Sequence, residues 1–373
     1  MKLSELVYRF FHSFAGLNRS RPNLIFLSTA FEGGGAEYVS RQMFNSFETS
    51  RFILFSQPKD PTVDRSRLDV IGYEADTLLR KFLLNLYRII FVQIKKIAIC
   101  PSCSVSHLEG PNFVNLLTFL GGKRVIFVHN IVSKNYHTKH FSDRLKCFLV
   151  RYLYRKADKI VAVSTEVRED LVRNYAIKES RIEVLLNPVN IRQINHLAKD
   201  RSKCWDEFLQ NKVYVTCVGS FTQQKNHSVL LEIFKHLLSK KPNIALILVG
   251  NGPQRSGILE KCAEFNLKVS ELADLDKAPM ADVLLSGFVD NPYPIISRAK
   301  ALILTSLWEG QPIVILEAMA LGVPFLTTNS SPFFLQHFYG CSTKFAARQL
   351  ERDGVLAPAC GFIFSLSTNG NDF

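Results

Sequence analysis

Glu309 and Glu317, with seven residues between them, are the side chains of this chain whose type and spacing best suit chemistry. A carboxylate accepts two parallel hydrogen bonds from a vicinal diol, so each suits a ribose or a sugar ring. The stretch that must position them is ALILTSLWEGQPIVILEAMALGVPFLTTN, residues 301 to 329. Ala301 to Leu304 is a short continuous apolar run of the kind that forms a parallel strand buried on both faces, with Thr305 and Ser306 at its carboxyl end. Pro312 suits a first helical position, Ile313, Leu316, Met319 and Ala320 recur at helical spacing, and Gly322 supplies a C-cap. Val323 to Thr328 is the next strand. The unit is βαβ, and its loop, holding Glu309 and Gly310, lies at a strand's carboxyl end, where open α/β sheets bind ligands. On spacing alone, the pair reads as a solvated loop carboxylate and an exposed helix carboxylate, and the surrounding residues are what favour a site.

Other residues occupy the same kind of position. Leu24 to Ser28 is an apolar strand leading to Gly33-Gly34-Gly35 and a helix to about Phe47, and such a loop lets backbone amides approach an anion. Val213 to Val218 ends at Gly219, and Lys225 follows just before a helix from about Ser228 to Leu238, where it can reach a phosphate as a point charge. The strand Arg124 to Val128 ends at His129, placed to touch a ligand or to serve as an ordinary structural histidine. Ile244 to Val249 leads to Gly250-Asn251-Gly252-Pro253. Val283 to Val289 carries Gly287 and Phe288, and a helix fits Asn291 to Lys300. Strands and helices alternate through both halves, as a parallel α/β sheet requires.

The string around Glu309 and Glu317 closely resembles the signature of the group 1 (GT4-type) retaining glycosyltransferases, a family with the GT-B fold. Fainter matches run from about Asn23 to about Leu366. The resemblance implies two Rossmann-like domains facing each other across a cleft, residues 1–195 on the acceptor side and 196–373 binding the nucleotide-sugar. It implies Glu309 beside the donor sugar, Glu317 on the ribose, and His129 near the sugar or acceptor, with Glu309, His129 and Lys225 as the catalytic set. Gly34, Gly35, Gly219 and Lys225 would serve the diphosphate, Phe288 the base, and Gly310, Gln311, Pro312 and Ile313 the donor at the helix start. Ser220 stands where the family commonly has Arg, which removes one charge from the expected pair. Val161 to Ser164 resembles the last strand of the first domain, and Asn187-Pro188-Val189-Asn190 the crossing to the second.

The implied reaction is retaining transfer from a nucleotide-sugar, UDP ahead of GDP, to a glycan or lipid-linked glycan acceptor in surface polysaccharide synthesis, with no cofactor and no metal. Asp274-Leu-Asp276 has the form of a metal-binding DxD but lies in a polar stretch, so it is assigned to the surface. A sugar-nucleotide epimerase of the same fold and a catalytically silent binding protein are the alternatives, the latter suggested by Ser220. Family members follow the segment resembling Gly354 to Pro358 with further helices. Here the residues to Phe373 end in the polar string STNGNDF, which fits a short homologue or a truncated product.

Composition bounds the rest. A chain of 373 residues, 47% of them hydrophobic, is long enough for two cores. The net charge is +13, and through Asn195 there are 29 Lys plus Arg against 17 Asp plus Glu, so nearly all the excess lies in the first half. That asymmetry points to an anionic partner, which on composition alone could be nucleic acid, a membrane surface or a phosphorylated acceptor; the family resemblance implies an anionic membrane surface and no nucleic acid. Two stretches carry it. Leu78 to Ile99 is mainly apolar but includes Arg80, Lys81, Arg88, Lys95 and Lys96, and suits either a headgroup-level helix or a core helix with one solvated basic stripe. Arg144 to Lys159 adds Lys146, Arg151, Arg155 and Lys156. No apolar run approaches the roughly 18 residues needed to cross a bilayer, and the first 23 residues lack the unbroken apolar core of a signal peptide. Eight cysteines without repeated spacing suit reduced thiols, and Cys100-Pro-Ser-Cys103 is a lone CxxC leading into a strand. The location these features favour is cytoplasmic, peripheral on the inner face of the membrane.

Overall fold

The computed structural model describes residues 23–73, 76–136, 141–200, 213–271 and 281–331, and the backbone of a strand at 362–364. It divides into two units, Met1–Pro188 and Val189–Phe373. The division falls at the Asn187-Pro188-Val189-Asn190 crossing and earlier than the 195/196 boundary expected above. The helix Ile191–Leu197 packs on helices of the second unit, which accounts for the difference.

The first unit is a seven-stranded, all-parallel sheet. Its strands are β1 (Leu24–Ser28), β2 (Arg51–Leu54), β3 (Leu68–Val70), β4 (Cys103–His107), β5 (Lys123–Val128), β6 (Lys159–Ala162) and β7 (Ile182–Val184), in the order β3-β2-β1-β4-β5-β6-β7. The helices named below are α1 (Gly35–Ser46), α2 (Leu78–Ile99), α3 (Glu109–Leu117), α4 (Val132–Asn135), α5 (Phe141–Leu153) and α6 (Thr165–Tyr175). β1 is buried at every position, because a strand covered on both faces has no polar side. The cap signals work locally: Thr77 Oγ1 accepts from Arg80 N at 3.2 Å to start α2, and Ser164 Oγ accepts from Val167 N at 3.3 Å to start α6. α2 packs Ile89, Phe91, Val92 and Ile99 against Ile25, Leu27 and Ile53 of the sheet and Phe55 just after β2.

The second unit repeats the plan with β8 (Val213–Val218), β9 (Ile244–Val249), β10 (Val269–Glu271), β11 (Val283–Gly287), β12 (Ala301–Leu304), β13 (Phe325–Thr328) and β14 (Phe362–Phe364). Their order is β10-β11-β9-β8-β12-β13-β14, again all parallel. Its helices are α7 (Ile191–Leu197), α8 (His227–Lys240), α9 (Arg255–Glu264), α10 (Tyr293–Arg298) and α11 (Ile313–Ala320). In each sheet the strand order reverses beside the unit's first strand, between β1 and β4 and between β8 and β12. These switch points leave a crevice at the strands' carboxyl ends, because successive crossovers go to opposite sides.

Candidate functional site

At the switch point of the second sheet, the loops after β8 and β12 are laced together. Leu307 N donates to Gln224 O at 2.8 Å, Gln224 Nε2 to Trp308 O at 2.8 Å, and Thr305 Oγ1 to Lys225 O and Asn226 O at 3.1 and 3.0 Å. Asn226 turns left-handed, with φ +49°, and so redirects the chain from the short turn Gln223–Lys225 into α8. This frame aims two of the expected residues at each other. Lys225 Nζ donates to Glu309 Oε1 at 2.6 Å, and Ser306 Oγ donates to the same oxygen at 2.6 Å. Glu309 is only 5% exposed, and its own N–H is fixed to Ser330 O at 3.1 Å. A carboxylate taken this far out of water needs such partners, since the attraction of one cation barely offsets desolvation.

The glycines at this edge are there for room. A Cβ on Gly219 would lie 3.2 Å from Lys225 Cε, so the lysine stem crosses the bare backbone. A Cβ on Gly250, whose φ is +144°, would fall 2.0 Å from Gly219 O, and one on Gly252 would fall 2.5 Å from Phe221 O. The loops after β8 and β9 therefore touch backbone to backbone, sealed by Phe221 N to Asn251 O and Gln254 N to Phe221 O, each 2.9 Å. Ser220 is exposed beside them, and Phe288, half exposed, follows the end of β11. Gly310, Gln311, Pro312 and Ile313 are buried at the start of α11, with Pro312 as its N-cap residue.

Glu317 sits one turn into α11 and is half-buried. Tyr293 Oη, from the start of α10, donates to Glu317 Oε1 at 2.9 Å. Burial raises the carboxyl to about 7, and the tyrosine bond offsets part of that rise. Tyr293, Gln224 and Ser306 are parts of this site that the sequence reading missed. Tyr293 lay in a segment assigned only to a helix, whereas Ser306, three residues before Glu309, was within view of a spacing argument.

In the first unit, Gly34 is the N-cap residue of α1 and Gly33 has φ +134°. A Cβ on Gly34 would meet Glu37 Oε2 at 3.1 Å, so the first-turn carboxylate folds back over the glycine loop. Burial, followed by the nearby charge of Glu109, raises the pKa of Glu37, while its bond to its own backbone amide opposes this. One strand away, His129 Nε2 lies 3.1 Å from Nδ1 of His107, a second histidine not singled out above. His107 is wholly buried and stacks on Phe127, with ring centroids 4.6 Å apart. Burial lowers His129 to about 3 and His107 well below its usual range, so both rings are neutral. Their remaining nitrogens, His107 Nε2 and His129 Nδ1, have no hydrogen-bond partner among the described residues.

The basic stretch of α2 requires a correction. Lys96 is 1% exposed and donates to Asn115 Oδ1 at 2.7 Å and Thr118 Oγ1 at 2.8 Å, at the carboxyl end of α3. Lys95 pairs with Asp69 at 2.6 Å, and Arg88 lies over the Phe55 ring, 4.5 Å from its centroid. Only Arg80 and Lys81 are exposed, Arg80 beside Asp76, so α2 shows solvent no basic stripe. The second stretch keeps its reading, with Arg144, Lys146, Arg151, Arg155 and Lys156 all exposed. Cys103 is fully buried, and burial pushes its thiol up to about 12, the state of an unreactive core cysteine. Asp274, Asp276 and the segment Gly354 to Pro358 lie outside the described residues.

Comparison with known proteins gives these sites a context. Residues 212–339 match the family of glycosyl transferases group 1, and residues 34–193 match glycosyltransferase family 4. Over 254 residues the chain is 26% identical to the N-acetylgalactosamine-N,N'-diacetylbacillosaminyl-diphospho-undecaprenol 4-alpha-N-acetylgalactosaminyltransferase of Campylobacter jejuni, covering 66% of this chain and 64% of that enzyme. The match thus spans a little under two thirds of that relative. Over 326 residues it is 24% identical to the putative glycosyltransferase EpsF of Bacillus subtilis, covering 84% and 81% of the two chains. Among solved structures, HepE of Anabaena in complex with UDP and glucose superposes with a TM-score of 0.64 at 15% identity, over 92% of this chain and 86% of that one. WaaG, a glycosyltransferase involved in lipopolysaccharide biosynthesis, gives 0.64 at 16% identity over the same shares.

Proposed function

The chain belongs to the group 1 glycosyltransferases, with the two Rossmann-like units of the GT-B fold, and from that premise we propose that it transfers a sugar, with retention, from UDP-sugar to a lipid-linked glycan during surface polysaccharide synthesis. The observation that carries this reading is the Lys225–Glu309 pair at the switch point of the second sheet, a cation and a carboxylate that suit the diphosphate and the sugar of one donor. Relatives named for diphospho-undecaprenol acceptors support the acceptor class, and a UDP complex in a fold neighbour supports the base.

In this reading Lys225 faces the diphosphate that leaves with the bond pair, where negative charge grows most in the transition state. Glu309 accepts hydrogen bonds from the sugar's hydroxyls and holds the ring, and Glu317 takes the ribose diol. Phe288 offers its ring to the base, while Gly310 and Gln311 bring backbone to the donor. In the first unit, Gly34, Gly35 and His129 are the residues we propose for ligand contact. The fixed donors replace a metal ion at the leaving group, and no other cofactor takes part. The lipid-linked acceptor places the work at the cytoplasmic face of a membrane.

The test is a thermal-shift panel of UDP, GDP, ADP and their sugars, followed by NMR of the anomeric proton in the product. UDP and one UDP-sugar stabilise the folded state, since a ligand that binds only that state raises its melting temperature. The product keeps the donor's configuration. No nucleotide shift, or an inverted product, rejects this reading.

A further inference from the structure

α2 is apolar on the side where a surface helix should be polar. Its inner face meets the sheet, yet Leu79, Leu83, Leu86, Ile90, Ile94 and Ile97 form a second stripe at spacings of three and four residues, each 45 to 68% exposed. The eighteen steps from Leu79 to Ile97, at about 1.5 Å each, give this ridge a length of roughly 27 Å. A helix hydrophobic all round is normally buried all round, so among the described residues the outer stripe lacks a partner. The apolar surface continues beyond the helix. Phe119, 77% exposed, is tied to α2 through its N–H to Gln93 Oε1 at 3.0 Å, and exposed Tyr73 packs edge-on against Tyr87 at 6.2 Å.

We propose that this outer ridge of α2 inserts into the headgroup–acyl boundary of an anionic bilayer, with the helix lying in the membrane plane. Among the described residues no helix is long and apolar enough to cross a membrane, so the ridge lies in the bilayer instead of spanning it. Charge decides the occupant. The first half of the chain has 29 cations against 17 anions, so a second copy docked on the same face would bring like charge to like, whereas acidic lipids attract it. α3 packs against both α2 and α5, and α5 exposes Phe141, Phe148 and Tyr152 among Arg144, Lys146 and Arg151, the composition of an interfacial helix. Around the ridge stand Tyr73, Tyr87, Phe82 and Phe119, aromatic groups that suit the lipid–water boundary, where a coiled-coil seam would carry paired charges. The anchor is therefore chiefly apolar, unlike the cationic attachment expected of α2 from its sequence.

This deepens the lipid-linked acceptor reading, yet vesicle flotation tests it without any sugar chemistry. The probes are vesicles of phosphatidylcholine with about one quarter phosphatidylglycerol, at low salt and at about 0.5 M salt, where exposed charges are screened. The parent floats with the vesicles and largely stays bound in high salt. The triple variant Leu86→Ser, Ile90→Ser, Ile94→Ser partitions at least about tenfold less, while Arg80→Gln with Lys81→Gln weakens binding only at low salt. Ile90→Trp shifts its emission to the blue when vesicles are added. Equal melting temperatures and equal UDP shifts across the variants separate loss of the ridge from loss of fold or donor site. Flotation of the triple variant like the parent, full release of the parent by salt, or a parent that ignores vesicles but forms a dimer broken by the triple variant overturns the proposal.

Discussion

Lys225 Nζ and Glu309 Oε1 are 2.6 Å apart, so the cation suited to a diphosphate and the carboxylate suited to a sugar are bonded to each other. A donor that takes the lysine also frees the oxygen that meets its sugar. Both sides of the pair are nearly dry, at 15% and 7% side-chain exposure. Lys225→Ala therefore leaves a buried carboxylate short of its cation and lowers stability by about 3 to 5 kcal/mol in urea unfolding. Lys225→Met combined with Glu309→Gln regains most of that loss while abolishing transfer. A single lysine variant as stable as the parent would show that the pair is not formed in solution.

Glu317 gives nucleotide binding a pH dependence with a definite sign. Its carboxyl is raised to about 7, whereas in the proposed role ribose hydroxyls would donate to the ionised form. UDP affinity is constant above that value and falls about tenfold per pH unit below it. For the free protein the sign is opposite: the folded state holds this proton between about 4.5 and 7, so the contribution to stability declines as pH rises through that window. Calorimetric titration of UDP from pH 5 to 8 checks the first statement. Glu317→Gln removes the slope and weakens binding by about 1.5 to 3 kcal/mol.

Lys96 acts on stability in another window. Burial, with Arg124 adding repulsion, depresses its amine to about 7, against 10.5 in the unfolded chain. The unfolded state holds the extra proton between these values, so stability rises with pH across the window, and the gain disappears as pH falls through about 7. Lys96→Met flattens this dependence and raises the melting temperature at pH 6. Parallel melting curves for the two proteins at pH 6 and pH 9 would contradict the buried charge.

The His107–His129 pair stays neutral throughout the physiological range, because burial disfavours charge on both rings and His129 adds repulsion at His107. Nitrogen chemical shifts of the two rings are expected to be constant from pH 5 to 8. In the proposed reaction His129 would then act as a neutral hydrogen-bonding group, and a titration within that range would return it to acid–base duty.

Chelator is expected to leave transfer intact, since in the proposed mechanism Lys225 and loop amides would supply the positive field at the leaving group. Activity that vanishes with chelator and returns with manganese would overturn this leaving-group chemistry.

Much of this arrangement was legible in the residues themselves. The stretch from Ala301 to Thr328 gave its strand, helix and strand to within a residue or two, because strong apolar periodicity and Pro and Gly punctuation coincide there. The strands at Arg51, Leu68, Val269 and Phe362 went unread, because three or four residues are too few to show a period and pairing alone makes them strands. The facing of α2 was misread for a different reason. Lysine count says nothing of direction on a helix whose every side is apolar, and the contacts that bury Lys96 come from Asn115 and Thr118, far along the chain. Tyr293 was invisible for the same reason: its partner is 24 residues away.

The buried lysine has a further consequence for α2. A helix with greasy residues on all sides could rotate about its axis and still bury a comparable apolar area, so hydrophobicity alone leaves its angular setting undecided. Lys96 fits only where Asn115 and Thr118 offer oxygens at 2.7 and 2.8 Å, and every other rotation would strand an ammonium in oil. The amine thus works as a key in a keyway. It fixes which leucines and isoleucines look outward, and the methionine that strengthens the fold would also remove the lock.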